Sequence, residues 1–154
     1  MTDSVYDLVK LLVKLLTTSP DAMGVEGCSV VVAYENDIKP YPVEKPILAF
    51  SVDKVDIGAP IVQIAEDGEQ TVTRDRPVDG IVRLSIFVPY AEGPERCQAL
   101  FKTFADSLLF HISIQNATVS GLRAYACDYV RDCGALVLDA DFTLSYTLTF
   151  SDEA

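Results

Sequence analysis

Residues 136–150 alternate between apolar and polar side chains, and this pattern constrains the fold more than any other feature. One set is apolar throughout: Leu136, Leu138, Ala140, Phe142, Leu144, Tyr146, Leu148 and Phe150. Successive side chains of a strand point to opposite faces, whereas a helix would scatter the same residues around its axis. The pattern predicts one strand, about three times the usual strand length of roughly 5–6 residues. Such a strand needs partners along its whole length, from this chain or from a neighbouring subunit.

The composition predicts one folded, acidic domain over residues 1–154. The chain is 49% hydrophobic, which is enough for a substantial core. Its formal net charge of −11 argues against binding to nucleic acid or to an anionic membrane surface, because both require lysine and arginine. An acidic surface has two interpretations that charge alone leaves open. It keeps the protein soluble, or it lines a channel through which DNA slides without adhering.

The four cysteines show no metal-binding or redox spacing. Cys28 and Cys97 lie among apolar residues, where a thiol behaves as a small hydrophobe. Cys127 and Cys133 could be bridged only if a turn brings them together. The first residues lack the features of a signal peptide, and the longest apolar run is far below the roughly 18 residues that span a bilayer. We therefore expect a reducing, cytosolic setting without a membrane partner.

Two segments have the spacing of amphipathic helices. Residues 4–17 form the first, and Ser4 with Asp7 is close to a capping box. The second begins at Gly93-Pro94, because proline is favoured at the first helical position. Its apolar residues predict the buried stripe Cys97, Leu100, Phe101, Phe104, Leu108 and Leu109.

Further strands are predicted over residues 28–34, 46–57, 80–90 and 114–127, the last with a bulge at Gly121. Together the elements predict an α+β fold. Its sheet is mostly antiparallel and twisted, with two main helices packed on it and a protruding β-hairpin.

The protruding hairpin spans residues 61–74, and with its base, to residue 76, it forms a segment that we name the arm. Asp67-Gly68 predicts a two-residue turn in which both residues have positive φ, so that Glu66 and Glu69 face each other. The base carries two arginines around an aspartate. It either contacts an acidic neighbouring copy or is simply solvated. The predicted subunit-interface residues are Glu66, Asp67, Gly68, Glu69, Arg74, Asp75 and Arg76.

Candidate catalytic residues are few, and each has a simpler interpretation. His111 ends the second helix, where it would complement the helix dipole. Asp139 and Asp141 share the polar face of the last strand and could hold Mg²⁺ or Ca²⁺, although carboxylates there are usually solvated. The pairs Asp53 with Asp56 and Asp128 with Asp132 are weaker. Zinc-ligand spacing, a phosphate loop, a nucleophile elbow and a dinucleotide fingerprint are all lacking. We expect no catalytic residues, no cofactor and no metal.

Two segments carry a family resemblance: RLSIFVPYAEGPERCQALFKTFADSL at residues 83–108 and ATVSGLRAYACDYVRDCGALVLDADFTLSYTLTF at residues 117–150. In the order of its elements and in the general character of these segments, the chain resembles the tail-terminator, or tail-completion, proteins of long-tailed bacteriophages and prophages. Tail-tube subunits and neck proteins have related folds.

The resemblance implies a structural protein, not an enzyme. It implies a ring of identical copies, typically a hexamer, that caps the tail tube, ends its growth and presents a surface to the head. The implied partners are the tail-tube and head-connector proteins, and DNA passes through without specific binding. The implied location is the virion tail, assembled in the host bacterial cytoplasm. The alternatives are a tail-tube or head–tail joining subunit, a monomeric ligand-binding α+β domain, and an enzyme with a metal at Asp139 and Asp141.

Overall fold

The structure is a computed structural model that describes residues 4–18, 28–32, 43–72 and 75–148. In chain order the regular elements are α1 (Val5–Thr18), β1 (Ser29–Val32), β2 (Ile47–Ile57), β3 (Val62–Ile64), β4 (Gln70–Val72), β5 (Arg76–Pro89), α2 (Pro94–Asp106), β6 (Thr118–Val130) and β7 (Ala135–Leu148). Short 3₁₀ turns, Tyr90–Glu92 and Arg131–Cys133, follow β5 and β6. A single π turn, Ser107–His111, extends α2.

Five strands form the main sheet, in the order β1-β2-β5-β7-β6. β1 runs parallel to β2 and all other neighbours are antiparallel. β5 and β7 pair over their entire lengths, from Arg76 opposite Leu148 to Pro89 opposite Ala135. β3 and β4 form a separate two-stranded sheet. The predicted α+β class, with two helices on a mostly antiparallel sheet, is confirmed.

Both helices cover the same face of the sheet. The Phe104 ring of α2 lies 5.5 Å from the Phe50 ring of β2 and 6.1 Å from the Phe142 ring of β7, measured between centroids. α1 packs so closely on β5 that a Cβ atom at Gly80 would lie 2.6 Å from a methyl group of Val5. Only glycine allows this approach. The main buried core is therefore a layer between the helices and one sheet face, and a small separate cluster is formed by Val43, Ile47 and Ala135.

The alternation predicted for the last strand is confirmed over its described part. Leu138, Ala140, Phe142 and Leu144 are fully or almost fully buried. The strand begins at Ala135, and residues 149 and 150 lie outside the described residues. The matching set on β5, Val82, Leu84, Ile86 and Val88, is also fully buried, as predicted.

The predicted starts of both helices are confirmed. The backbone N–H of Asp7 donates to the Ser4 hydroxyl at 3.1 Å, and the Ser4 N–H donates to the Asp7 carboxylate at 3.2 Å. This is the reciprocal pairing of a capping box, with aspartate in the place of the usual glutamate. Pro94 opens α2, as its missing N–H allows.

Leu109 does not belong to the buried stripe, so this part of the prediction is wrong. Cys97, Leu100, Phe104 and Leu108 are buried and Phe101 is half-buried, but Leu109 is 48% exposed. The cause is the π turn, which inserts an extra residue and shifts the helical phase. The following residue, Phe110, is 75% exposed for the same reason.

For the remaining strands, the predicted and observed bounds differ mainly at the strand ends. β6 begins at Thr118, not at residue 114, and continues to Val130. Gly121 has a φ of 64°, and the register shifts there by one residue, so the predicted bulge is confirmed. A second, unpredicted bulge lies between Ala124 and Cys127. Of the first predicted strand, residues 33 and 34 lie outside the described residues.

Candidate assembly surface

The arm is a narrow extension of the β2–β5 ladder. The N–H of Gly58 donates to the carbonyl oxygen of Pro77 at 2.8 Å, and the N–H of Ile61 donates to that of Asp75 at 3.0 Å. β3 and β4 then continue the antiparallel pairing, from Val62 opposite Val72 to Ile64 opposite Gln70. The two strands pair with each other and with no other strand that the structure describes.

The tip of the arm is a three-residue loop, so the predicted two-residue turn is wrong. The N–H of Ala65 donates to the carbonyl oxygen of Glu69 at 2.8 Å, which places these two residues opposite each other. Glu66 therefore does not face Glu69. Gly68 has a φ of 83°, whereas Asp67 does not have a positive φ. The Asp67 carboxylate instead accepts the N–H of Glu69 at 2.9 Å, which favours the longer loop with one left-handed residue.

The predicted interface residues divide between an exposed tip and an internally bonded base. The four tip residues, Glu66 to Glu69, are all exposed. Arg76 is exposed too, but its guanidinium donates to the carbonyl oxygen of Gly58, which directly follows β2, at 3.4 Å. Asp75 is half-buried, and its backbone carbonyl pairs with Ile61. Arg74 lies outside the described residues. An interface role for these residues stays a prediction.

Sequence reasoning missed the apolar character of the arm's surface. Val62 is 50% exposed and Ile64 is 69% exposed. Val55 and Ile57, at the end of β2 that leads into the arm, are exposed as well. We name these four residues the apolar row. The alternation was visible in the sequence, but the apolar content of the hairpin was interpreted only as too thin for a core element.

β6 provides a second surface, because it is the edge of the main sheet. Its outer side has no strand partner among the residues that the structure describes, and most of its side chains are exposed. The two bulges twist the strand, which limits pairing by another chain to short stretches. The unbulged stretches are residues 118–120 and 127–130.

The two carboxylates proposed as metal ligands are held by neighbouring strands. Asp139 accepts the Ser85 hydroxyl at 2.7 Å. Asp141 accepts the Tyr125 hydroxyl at 2.7 Å and lies 3.1 Å from Nε of Arg123. The hydrogen bond to Asp141 raises the pKa of Tyr125, because it stabilises the neutral phenol. Among the described residues, no group of three or more His, Cys, Asp or Glu side chains comes close enough to hold a metal.

The other candidate residues lie apart on the surface. Asp53 faces Arg83 at 3.8 Å and Asp56 faces Lys54 at 3.4 Å, both as exposed ion pairs. Such pairs contribute about 0–1 kcal/mol to stability. Three more candidates, Asp128, Asp132 and His111, are exposed. The structure does not bring these residues together into one site.

The structure does not bridge Cys127 and Cys133. The Cys133 thiol donates to the carbonyl oxygen of Val130 at 3.8 Å. Cys127 packs instead against the core, and the buried Cys97 thiol lies 3.9 Å from the carbonyl oxygen of Leu136. Burial is the largest cause of the rise in the pKa of Cys97 to about 12. None of the four cysteines, all of which the structure describes, forms a disulfide.

Comparison with known proteins adds little. No protein family model matches the chain, and no curated protein matches it. Chains of solved structures do match. One of them covers 98% of this chain and 100% of its own length, at 12% identity and a TM-score of 0.47. This similarity bears on neither function nor family. The described residues also contain no helix that is long and apolar enough to cross a membrane.

Proposed function

We propose that this protein is a structural subunit of a phage or prophage tail, and specifically a tail terminator that acts as a closed ring of identical copies. The observation that carries this proposal is the arm, a two-stranded extension that exposes Val62 and Ile64, while the rest of the apolar row lies at the end of β2 that leads into it. The resemblance noted in the sequence supplies the particular role within the tail.

The arm is not a stable unit by itself. An isolated two-stranded hairpin is marginally stable in water, and exposed apolar patches mark surfaces that bind other proteins. Val62 and Ile64 would gain about 1 kcal/mol or more each if a partner buried their exposed halves. A neighbouring copy is the partner proposed here. In this proposal the arm contacts a different surface on that copy, so the contact is head-to-tail, and such contacts form a ring when the rotation between copies closes.

Charge and the sheet edge support the same proposal. Each copy carries a formal net charge of −11, so a ring would surround its opening with negative charge. Such a channel repels the phosphate backbone and lets DNA pass without binding. The unbulged ends of β6 offer backbone groups for short pairing with a neighbour. The proposed partners are thus further copies, six to a ring by resemblance alone, with the tail-tube and head-connector proteins on the two ring faces.

The first experiment measures the oligomeric state of the full chain by native mass spectrometry and analytical ultracentrifugation. We expect a closed ring. The double substitution Val62→Ser with Ile64→Ser should shift the population towards smaller species, with an unchanged circular dichroism spectrum. Phe110→Ser is the matched control, because it removes an equally exposed apolar side chain away from the arm. A monomeric wild-type protein at high concentration, or equal loss of assembly in both variants, would overturn the proposal.

A second experiment separates the terminator from its relatives in the tail. The gene is removed from the phage or prophage that carries it, and the particles are imaged by electron microscopy. Loss of a terminator should leave tubes of uncontrolled length without heads. Loss of a tube subunit should leave no tubes, and loss of a neck protein should leave tails of normal length beside separate heads.

A further inference from the structure

The main sheet has two edges, and parts of them lie at the same height along the strands. β1 forms one edge and β6 the other, and neither has a second strand partner among the residues that the structure describes. The pairings across the sheet place Val30 of β1 in one row with Cys127 of β6. The next row joins Ser29 and Asp128 in the same way.

We propose that β1 of one copy pairs with residues 127–130 of β6 in the next copy, so that neighbouring main sheets join into one continuous sheet. The inference rests on the proposed function, because it names the two surfaces that join the copies of the proposed ring. The partner at each edge is therefore a second copy of this chain. The rows of the sheet place Ser29 opposite Asp128 of the neighbouring copy.

The directions of the strands fit this pairing. β1 runs parallel to β2, and three antiparallel steps lead from β2 to β6, so β1 and β6 run in opposite directions. A rotation about an axis along the strands keeps these directions, and β6 then meets the neighbouring β1 in the slightly more stable antiparallel arrangement. A two-fold contact between two β6 edges would leave both β1 edges unpaired. The head-to-tail contact uses both edges of every copy.

The outer edge of β1 has backbone groups available for this pairing. The N–H of Ser29 points into the sheet, where it donates to the carbonyl oxygen of Pro46 at 2.9 Å. Backbone groups alternate between the two sides of a strand, so the N–H and carbonyl oxygen of Val30 point outwards.

The outer edge of β6 has matching groups in the same row. The N–H of Tyr90 donates to the carbonyl oxygen of Gly134 at 3.2 Å, which directs Gly134 towards β5. By alternation along β7, Leu138 is also directed towards β5 and not towards β6. Its partner Cys127 therefore points its N–H and carbonyl oxygen away from the sheet. Val30 and Cys127 can thus exchange two hydrogen bonds between copies.

Exposed side chains and the bulges of β6 select the stretch that pairs. Val31 on β1 is exposed, as are Tyr129 and Val130 on β6, and pairing would cover part of each. The other unbulged stretch of β6, residues 118–120, lies beyond the reach of β1, which pairs only with residues 47–50 of β2. The contact is therefore expected at residues 127–130.

The test is disulfide cross-linking of the full chain that carries both Ser29→Cys and Asp128→Cys. In the proposed register these residues form a non-hydrogen-bonded pair, whose Cα atoms lie about 4.5 Å apart, a distance that a disulfide spans. After treatment with oxidised glutathione, a non-reducing denaturing gel should show a ladder of covalent oligomers that a reductant abolishes. The two single variants are the matched controls, because they retain the four native cysteines, and neither should give the ladder.

A second double variant, Val31→Cys with Asp128→Cys, tests a register shifted by two residues. A ladder from either double variant supports pairing of these two edges, and its absence from both in an assembled ring would overturn the proposal. Cross-linked dimers from Asp128→Cys alone would show that two β6 edges meet, which would also overturn it.

Amide hydrogen exchange at residue resolution tests the wild-type protein without any substitution. The outward amides of Val30 and Cys127 should exchange slowly in the assembled protein, because hydrogen bonds between copies protect them. Rapid exchange of both amides in a protein that native mass spectrometry shows to be a ring would overturn this inference and leave the proposed function standing. A monomeric protein would overturn both.

Discussion

Phe104 lies at the centre of the core, and its replacement with alanine should leave a cavity there and lower the free energy of unfolding. Phe104 is 0% exposed, and its ring lies between those of Phe50 and Phe142, which come from different strands. A phenylalanine side chain buries on the order of 150 Å² or more, which at about 25 cal/mol/Å² is about 4 kcal/mol. Since the fixed strands β2 and β7 cannot collapse onto the space, a cavity remains. The expected loss in the free energy of unfolding is about 3–5 kcal/mol.

The assay for Phe104→Ala is equilibrium unfolding in urea, followed by circular dichroism. Phe110→Ala is the matched control, because it removes the same side chain from the exposed π turn that extends α2. The control should change the free energy of unfolding by no more than about 0.5 kcal/mol. If Phe104→Ala costs less than about 1 kcal/mol, or if both variants cost the same, the placement of α2 on the sheet is wrong.

Three further substitutions test other contacts. Gly80→Ala should cost about 1–3 kcal/mol in urea unfolding, because its methyl group would overlap the side chain of Val5, and a cost near zero would contradict the close packing of α1. The phenol of Tyr125 should ionise above pH 10 in an absorbance titration, and Asp141→Ala should lower its pKa. Since the raised pKa favours the neutral phenol in the folded state, this stabilisation is complete below pH 10 and is lost as the pH rises through the raised value. Gly68→Ala should disturb the arm alone, because the residue has a positive φ at an exposed tip. A large change in global unfolding would show that the arm is part of the core.

Local patterns predicted the main elements well. The alternation along β7 and the Gly93-Pro94 start of α2 are signals carried by adjacent residues, and both were found where expected. The α+β class followed from the order of these elements. Strand order, and the parallel pairing of β1 with β2, were not predicted, because they depend on contacts between distant segments.

The predictions that were wrong also have identifiable physical causes. Leu109 was assigned to the buried stripe on a period of 3.6 residues, and the π turn broke that period. The tip of the arm was misjudged because the Asp67 side chain stabilises a longer loop than the Asp-Gly pair alone suggests. The contact of Cys97 with the carbonyl oxygen of Leu136 could not be predicted, since it exists only when α2 lies on the sheet. The functional prediction rests on resemblance and awaits the experiments proposed above.

The unbroken ladder between β5 and β7 has a mechanical consequence. Its hydrogen bonds lie across the direction of the strands. A pull on the arm, directed along β5, would load all of these bonds in shear at once instead of opening them one after another. A force applied to the arm would therefore be transmitted to the opposite end of the sheet, at Pro89, without lengthening the protein.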